Sequence, residues 1–322
     1  MLVGMIPTAL RGGAPRRWPA SFRDRLTGPL PGPRDIYRIL RDGGFRGSTV
    51  DADRVPVSRQ GLPALPEHAT GWTWIGHASY LVRMGGANVL TDPVWSTKLP
   101  SVPPRVTPPG VAWSELPPID AVLISHNHYD HLDAPTIGRL PRDTAILVPA
   151  GLRSWFTRRR FTRVIELDWW ESVEVAGLRF DFVPAHHWSR RGPFDACRSL
   201  WGGWVITAPD GRRTYHAGDS GYGHWFAEIG SRYPGIDVAM LPIGAYQPRW
   251  FMRPVHMDPD EAVRALSDLG ARRLAAMHWG TFLLTQEPVI EPLERVRKAW
   301  AADGREPDDL WTLAVGESRQ LP

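Results

Sequence analysis

The stretch Ser125-His126-Asn127-His128-Tyr129-Asp130-His131-Leu132-Asp133 decides how this chain is read. It follows directly on the apolar run from Asp120 to Ile124, which reads as a strand. Three histidines and one aspartate fall in the spacing His-x-His-x-Asp-His. The composition of the chain would yield that pattern in about one such sequence in a thousand, which sets chance aside. Neutral imidazole and carboxylate suit divalent first-row metals. Where a strand feeds a loop, alternate side chains point the same way, so His126 and His128 can share one ion. Asp130 and His131 can turn towards a second ion nearby. Four titratable groups this close would be costly to bury without a cation.

Four ligands do not complete two sites, so others must come from distant sequence. Further candidates stand where apolar runs end. His186 and His187 follow Phe180 to Ala185, Asp219 follows Thr214 to Ala217, and His278 follows Leu274 to Met277. Ligands at the ends of several strands would gather on one sheet edge.

Outward from these points, short apolar runs alternate with turns. Trp72 to Ile75, Tyr80 to Met84 and Val89 to Leu90 read as antiparallel strands, the last two joined at Gly85-Gly86. Ala121 to Ile124, Ala145 to Val148, Val164 to Leu167, Leu178 to Val183, Trp204 to Thr207, Thr214 to Ala217, Val238 to Leu241 and Leu274 to Met277 follow. Pro259 to Leu269 carries one apolar stripe (Ala262, Val263, Leu266, Leu269) ended by Gly270, the pattern of a helix. A second helix is expected from about Pro292 to Ala302. Strands with interspersed helices imply a mixed α/β layered fold. Residues 1–70 are rich in Pro, Gly and Arg and read as an irregular arm, with one short helix around Ile36, Ile39 and Leu40 capped by Asp35.

The single cysteine, Cys197, excludes an internal disulfide, a cysteine zinc finger and an iron–sulfur site. The net charge of +4 is small, and only Lys98 and Lys298 are lysines. No long basic run points to nucleic acid. The cluster Arg158, Arg159, Arg160 and Arg163 reads as a solvated face, with a phosphate-facing patch as the alternative. No stretch reaches the roughly 18 apolar residues of a membrane span. Met1 to Leu10 lacks the basic start of a secretory signal, so a cytoplasmic protein is expected.

The pieces Trp74-Ile75-Gly76-His77-Ala78-Ser79, Leu90-Thr91-Asp92-Pro93-Val94-Trp95-Ser96, Ser125 to Asp133, Pro184-Ala185-His186-His187-Trp188, Leu200-Trp201-Gly202-Gly203-Trp204, Ala217-Gly218-Asp219-Ser220-Gly221-Tyr222, His256-Met257-Asp258-Pro259 and His278-Trp279-Gly280-Thr281-Phe282 stand in this order over about residues 71–285. Together they resemble the metallo-β-lactamase-fold hydrolases, and within them the branch of N-acylphosphatidylethanolamine-hydrolysing phospholipase D, which neighbours the ascorbate-6-phosphate lactonase type. The His-x-His-x-Asp-His element is common to that superfamily. The His-Trp, Leu-Trp-Gly-Gly-Trp and His-Trp-Gly-Thr-Phe pieces are more specific to the phospholipase D-like branch.

The resemblance implies an αββα sandwich, expected over residues 71–322; residues 1–70 carry no match and are expected, from their composition, as an arm packed on it. It implies two divalent metal ions, zinc first, with manganese or iron as alternatives. His126, His128 and His187 would hold one ion. Asp130, His131 and His278 would hold the other, with Asp219 bridging both. His187 is preferred to His186 because the family's ligand precedes the tryptophan, here Trp188. His256 resembles a pocket residue of the family; its other reading is a helix entry, with Asp258 as cap and Pro259 in the first helical position. His77 and Asp92 are expected to orient ligands.

The expected chemistry is hydrolysis by a hydroxide held between two divalent ions. Asp130 and Asp219 would bind the ions and accept a proton, and His256 would assist. The favoured substrate is a small-molecule or lipid phosphodiester cut in phospholipase D fashion. A lactone or other acyl substrate is the alternative, and a non-catalytic scaffold the third reading. Trp188, Trp201, Trp204, Trp225, Trp250 and Trp279 would line an apolar pocket or meet a membrane surface peripherally, or else pack in the core. Arg190, Arg191, Arg249 and Arg253 are candidates to meet a phosphate. Gly218-Asp219-Ser220-Gly221 also resembles a serine-protease nucleophile loop, but the helices, the lone cysteine and the histidine cluster speak against a protease. The oligomeric state is not legible.

Overall fold

The computed structural model describes residues 16–45 and 47–322. The apolar runs become strands of two sheets because both faces of each sheet are covered. In the first half of the chain β1 (Thr70–Gly76), β2 (Ser79–Met84), β3 (Ala87–Thr91), β4 (Ala121–Leu123), β5 (Ala145–Pro149) and β6 (Val164–Leu167) stand side by side. In the second half β7 (Ser172–Val175), β8 (Leu178–Val183), β9 (Gly203–Thr207), β10 (Arg213–His216), β11 (Val238–Pro242), β12 (Arg273–Met277) and β13 (Leu310–Trp311) form the other sheet in sequence order. The chain then returns, and β14 (Ser318–Leu321) pairs antiparallel with β1.

Alternation along each strand divides its side chains between two cores. Tyr80, Val82, Val89, Leu123 and Leu147 face the second sheet and pack with Phe180, Val205 and Tyr215. Leu81, Leu90, Val122, Ile124, Ile146 and Val148 face outward, where they meet Ile137 of α2 (Ala134–Gly138) and Phe156 of α3 (Arg153–Thr157). Covered faces on both sides explain why these strands read as continuous apolar runs. On the far side of the second sheet, α6 (Pro259–Leu269) packs on β11 and β12, flanked by α4 (Trp225–Arg232) and α7 (Glu291–Ala302). The result is the four-layer αββα arrangement, two mixed sheets between helices.

Both sheets are antiparallel at one end and parallel at the other. The bonds β3–β4–β5–β6 and β10–β11–β12–β13 are parallel. The C-terminal ends of β3, β4, β10, β11 and β12 therefore open on one edge, where α/β sheets place their sites. The antiparallel neighbours bring β1 and β8 to that same edge by double reversal. The turn at Gly85-Gly86, φ +56° and +81°, closes the β2–β3 hairpin as expected of two glycines there.

The expected strands and both expected helices are present, with ends shifted by at most two residues. The short helix of the arm, α1 (Pro33–Arg41), starts earlier than its apolar spacing suggests. Asp35 is not its N-cap. Gly32 holds that place, Pro33 fills the first turn, and the Asp35 carboxylate accepts the Gly32 N–H at 2.8 Å from inside the helix. Apart from α1 and short 3-10 turns at Arg23–Arg25 and Ala52–Arg54, the described residues before β1 run irregularly, tied to the core by a Val57–Val315 bridge and by the Trp18 indole donating to Glu166. The readings of Met1 to Leu10, and of the arm before residue 16, lie outside the described residues. Among the described residues no helix is long and apolar enough to cross a membrane.

Candidate metal centre

His126, His128, Asp130 and His131 occupy the loop after β4, which the Arg191 guanidinium pins through the carbonyls of Asn127 (3.2 Å) and Leu132 (2.6 Å). The end of β8 delivers His187, β10 delivers Asp219, and β12 delivers His278. The β1–β2 turn delivers His77. Three non-glycine residues here hold positive φ: His77 (+56°), Asp92 (+36°) and His278 (+63°). Such backbone strain concentrates where side-chain placement outweighs local preference.

These residues form two adjoining groups. In one, ligand atoms of His126, His128, His187 and Asp219 lie within 4.8 Å of one another; in the other, those of His77, Asp130, His131 and His278 do. Asp219 stands between the groups. Its Oδ2 is 3.8 Å from both His126 Nε2 and His187 Nε2 and 3.2 Å from His131 Nε2, while its Oδ1 is 3.1 Å from His278 Nε2. Asp130 Oδ2 lies 3.7 Å from His131 Nε2 and 3.6 Å from His278 Nε2. The seven residues expected to bind metal are thus brought together.

The hydrogen-bond pattern tests whether a cation fits. His126 Nδ1–H donates to Ser125 Oγ at 2.9 Å, and His187 Nδ1–H to the Val255 carbonyl at 3.0 Å. Both rings thereby turn a bare Nε2 inward. His126 Nε2 lies 2.8 Å and His187 Nε2 3.2 Å from His128 Nδ1. Three imidazole nitrogens converge there, and the single proton that a neutral His128 can carry on Nδ1 serves at most one of the other two well. In the other group His131 Nε2, His278 Nε2 and Asp219 Oδ1 are buried without a hydrogen-bond partner. A nitrogen and carboxylate donor set of this kind fits a divalent cation.

Electrostatics agree. Burial holds His128 down to about 4 and His187 to about 3, so both imidazoles are neutral at neutral pH, the form that can bind a cation. Burial also opposes charge on His278, but Asp219 and Asp130 outweigh it and raise that imidazole to about 9. Burial would push Asp219 up, yet His131 and His278 bring it well below the usual carboxylate range. Negative charge is concentrated where positive charge is wanted.

His77 Nε2–H donates to Asp130 Oδ2 at 2.9 Å, and the His77 carbonyl accepts the His278 N–H at 3.0 Å. Asp92 Oδ2 accepts His131 Nδ1–H at 2.8 Å. Both stand where ligand-orienting partners were expected. His186 turns away to Thr27 Oγ1, 2.8 Å, so of the adjacent pair only His187 faces the centre. His256 lies beside it, its ring 5.1 Å from that of His187 and 5.4 Å from that of His278, with Nδ1 buried and unpartnered. Its helix-entry surroundings are also present: Asp258 caps α6 by accepting the Glu261 N–H at 2.9 Å, with Pro259 next.

Several expectations change. Arg191 serves the ligand loop, and Arg249 binds Glu261 (2.6 Å) and the His256 carbonyl (2.9 Å). Arg253 also turns to Glu261, 3.2 Å. Of that set only Arg190 lines the cleft at the centre, joined by Arg23, which sequence reading missed. The tryptophans divide. Trp201 and Trp204 are core residues whose indoles donate to Ala185 and Ile124 carbonyls, and Trp279 stacks on Trp74. Trp188 lines the cleft, and Trp250 of α5 (Arg249–Met252) is exposed. The Ser220 hydroxyl donates to the Gly221 carbonyl and accepts the His186 N–H, so it is buried and already partnered.

Residues 87–279, more than half of the chain, match the family described as beta-lactamase superfamily domain. The chain belongs to that superfamily. Among its relatives in the superfamily, N-acyl-phosphatidylethanolamine-hydrolyzing phospholipase D 1 of Caenorhabditis elegans is 36% identical over 264 residues, 76% of this chain and 74% of that protein. A UPF0173 metal-dependent hydrolase of Nitratidesulfovibrio vulgaris is 34% identical over 77% of this chain and 94% of its own length. Mycobacterium tuberculosis Rv0906 is 42% identical over 70% of this chain, and the chain spans 63% of that protein's length. The crystal structure of a possible metal-dependent hydrolase from Veillonella parvula, 20% identical, superposes with a TM-score of 0.65 over 78% of this chain and 99% of that one. The fold is that of the metallo-β-lactamase superfamily, and these relatives include a phospholipase and a protein described as a metal-dependent hydrolase.

Proposed function

We propose that the enzyme hydrolyses a phosphodiester carrying an apolar group, with a phospholipid headgroup bond as the leading substrate. The observation that carries this reading is the cleft. It has a volume of about 710 Å³ and runs from His128, Trp188 and His256 to a wall of Leu30, Ile36, Phe45 and Phe251. Arg23 and Arg190 line the same cleft. An apolar wall with a few convergent polar groups is how small-molecule sites are built. Guanidinium groups suit a phosphate that an ester or lactone would lack. Similarity to the Caenorhabditis phospholipase supports the same choice.

His126, His128 and His187 would hold one divalent ion, and Asp130, His131 and His278 the other, with Asp219 between them; zinc fits both sets. When bound, such ions supply Lewis acidity and water of lowered pKa. His256 is held neutral by burial, at about 3, so beside the reacting centre its unpartnered imidazole would pass a proton on in the transition state rather than store one. Asp130 and Asp219 hold the negative charge that fixes the ions, and His77 keeps the Asp130 carboxylate turned inward.

The cleft mouth suits a lipid surface. Ile36, Tyr37 and Leu40 of α1, with Phe45, Phe194 and Trp250, are exposed large hydrophobic residues in or next to its lining segments. Arg34, Arg38 and Arg41 share α1, and the Arg38 guanidinium sits 4.1 Å over Trp250. An amphipathic helix with arginines beside its apolar face fits an anionic bilayer. The test is metal analysis joined to hydrolysis of bis(p-nitrophenyl) phosphate, phospholipids and simple lactones. Phosphodiester turnover that follows metal content is expected. Lactone turnover with phosphodiesters left intact would replace this reading.

A further inference from the structure

Asp92 grips two imidazoles, one from each sheet. It is fully buried just past β3. Its Oδ2 accepts His131 Nδ1–H at 2.8 Å, His216 Nε2–H at 3.0 Å and the Ser125 hydroxyl at 2.6 Å, while Oδ1 accepts the Ser125 N–H at 2.7 Å. Ser125 Oγ in turn receives His126 Nδ1–H. One ligand of each group is therefore steered through this carboxylate. His216 ends β10 in the opposite sheet.

His216 is costly where it stands. It is fully buried, and its Nδ1 has no hydrogen-bond partner. An apolar side chain of similar shape would avoid that orphaned nitrogen. What the imidazole contributes here is its bond to the buried Asp92 carboxylate.

We propose that His216 is a positioning residue for the metal centre. Its N–H fixes the rotation of the Asp92 carboxylate from across the inter-sheet gap. The fixed carboxylate then sets the tautomer and ring angle of His131 and, through Ser125, of His126. This rests on the reading that His131 and His126 are metal ligands. Partners of ligating histidines act in this way on affinity.

The experiment compares wild type, His216→Leu and His216→Gln in two measurements. One is zinc affinity and stoichiometry by competition with a chromophoric chelator. The other is the thermal midpoint of the metal-free proteins. His216→Leu should bind zinc about 10–100-fold more weakly, while its metal-free form still unfolds cooperatively, at a midpoint lowered by the donor that the buried Asp92 carboxylate loses. His216→Gln, whose Nε2 reaches the same place, should restore affinity. Unchanged affinity in His216→Leu overturns the proposal, as does weakened affinity that Gln does not restore. If the Leu variant fails to fold, His216→Asn replaces it, because its shorter amide falls short of Asp92: weaker zinc binding by Asn than by Gln supports the proposal, and equal binding overturns it. Wild type that binds no zinc would remove the metal-centre reading itself, and this inference with it, before any variant is compared.

Discussion

Gly218 sits so tightly on Ser125 that a Cβ on Gly218 would lie 2.5 Å from the Ser125 Cβ. The φ of Gly218 is +60°, a conformation that side chains other than glycine rarely adopt. This contact locks the segment carrying Asp219 onto the segment carrying His126. Gly218→Ala should lower stability by about 1–3 kcal/mol and weaken metal binding as the two segments part. Denaturant titration and metal analysis on the purified variant check this. An alanine variant with wild-type stability and full metal content would contradict it.

Asp219→Asn keeps the shape of the side chain and removes its charge. Both carboxylate oxygens face imidazole nitrogens of the centre. Metal affinity and hydrolysis should both fall by more than the roughly 10–100-fold that loss of a ligand's supporting partner costs, with circular dichroism unchanged. Full activity in metal-free Asp219→Asn would rule out the centre as the site of chemistry.

His256→Ala separates chemistry from metal binding. Loss of a positioned acid–base group lowers kcat by about 10²–10⁴-fold. Metal content should stay at the wild-type level. Loss of metal alongside activity would make His256 a ligand instead.

The metal-free protein should be most stable near pH 6.5. Burial depresses His187 and His256 to about 3 and His128 to about 4. Below pH 6.5 the unfolded chain binds protons that the folded chain refuses, so stability falls with falling pH. The slope is about 1.4 kcal/mol per pH unit for each such histidine. His278 is raised to about 9, burial being outweighed by Asp219 and Asp130. Its contribution is complete below 6.5 and fades as pH rises through 9. Urea unfolding of chelator-treated protein at pH 5, 6.5 and 9 measures both arms. A flat profile would contradict them.

Tyr37→Asp combined with Leu40→Asp places charge on the exposed apolar face of α1, outside the cleft lining. Binding to anionic vesicles should weaken, by about 1.5–3 kcal/mol for each apolar side chain withdrawn from the lipid. Hydrolysis of a short soluble diester should be unchanged. Equal vesicle binding by wild type and variant would mean that this face does not meet a membrane.

Much of the fold was legible because its strands are buried on both faces, so Ala121 to Ile124 and Val238 to Leu241 read as plain apolar runs. The ligand loop was legible because His126, His128, Asp130 and His131 are close in sequence. Asp219 and His278 followed from their place at strand ends. Sheet margins were not legible: β7, β13 and β14 are short and mix polar with apolar residues. Nor were the roles of charged side chains that depend on distant partners. Arg191 looks like Arg190 in sequence, yet one reaches the carbonyls of the ligand loop and the other the cleft. His216 lies in an apolar run, and only the approach of Asp92 from the other sheet gives it a task.

The division of the site between two sheets has a consequence for biosynthesis. His126 is made with the first sheet and His278 with the second, so the centre cannot close until β12 has left the ribosome. The proposed partners His187, Asp219 and His278 all arrive with the second sheet, so a cation held by the full set would be taken up only in the last stage of folding.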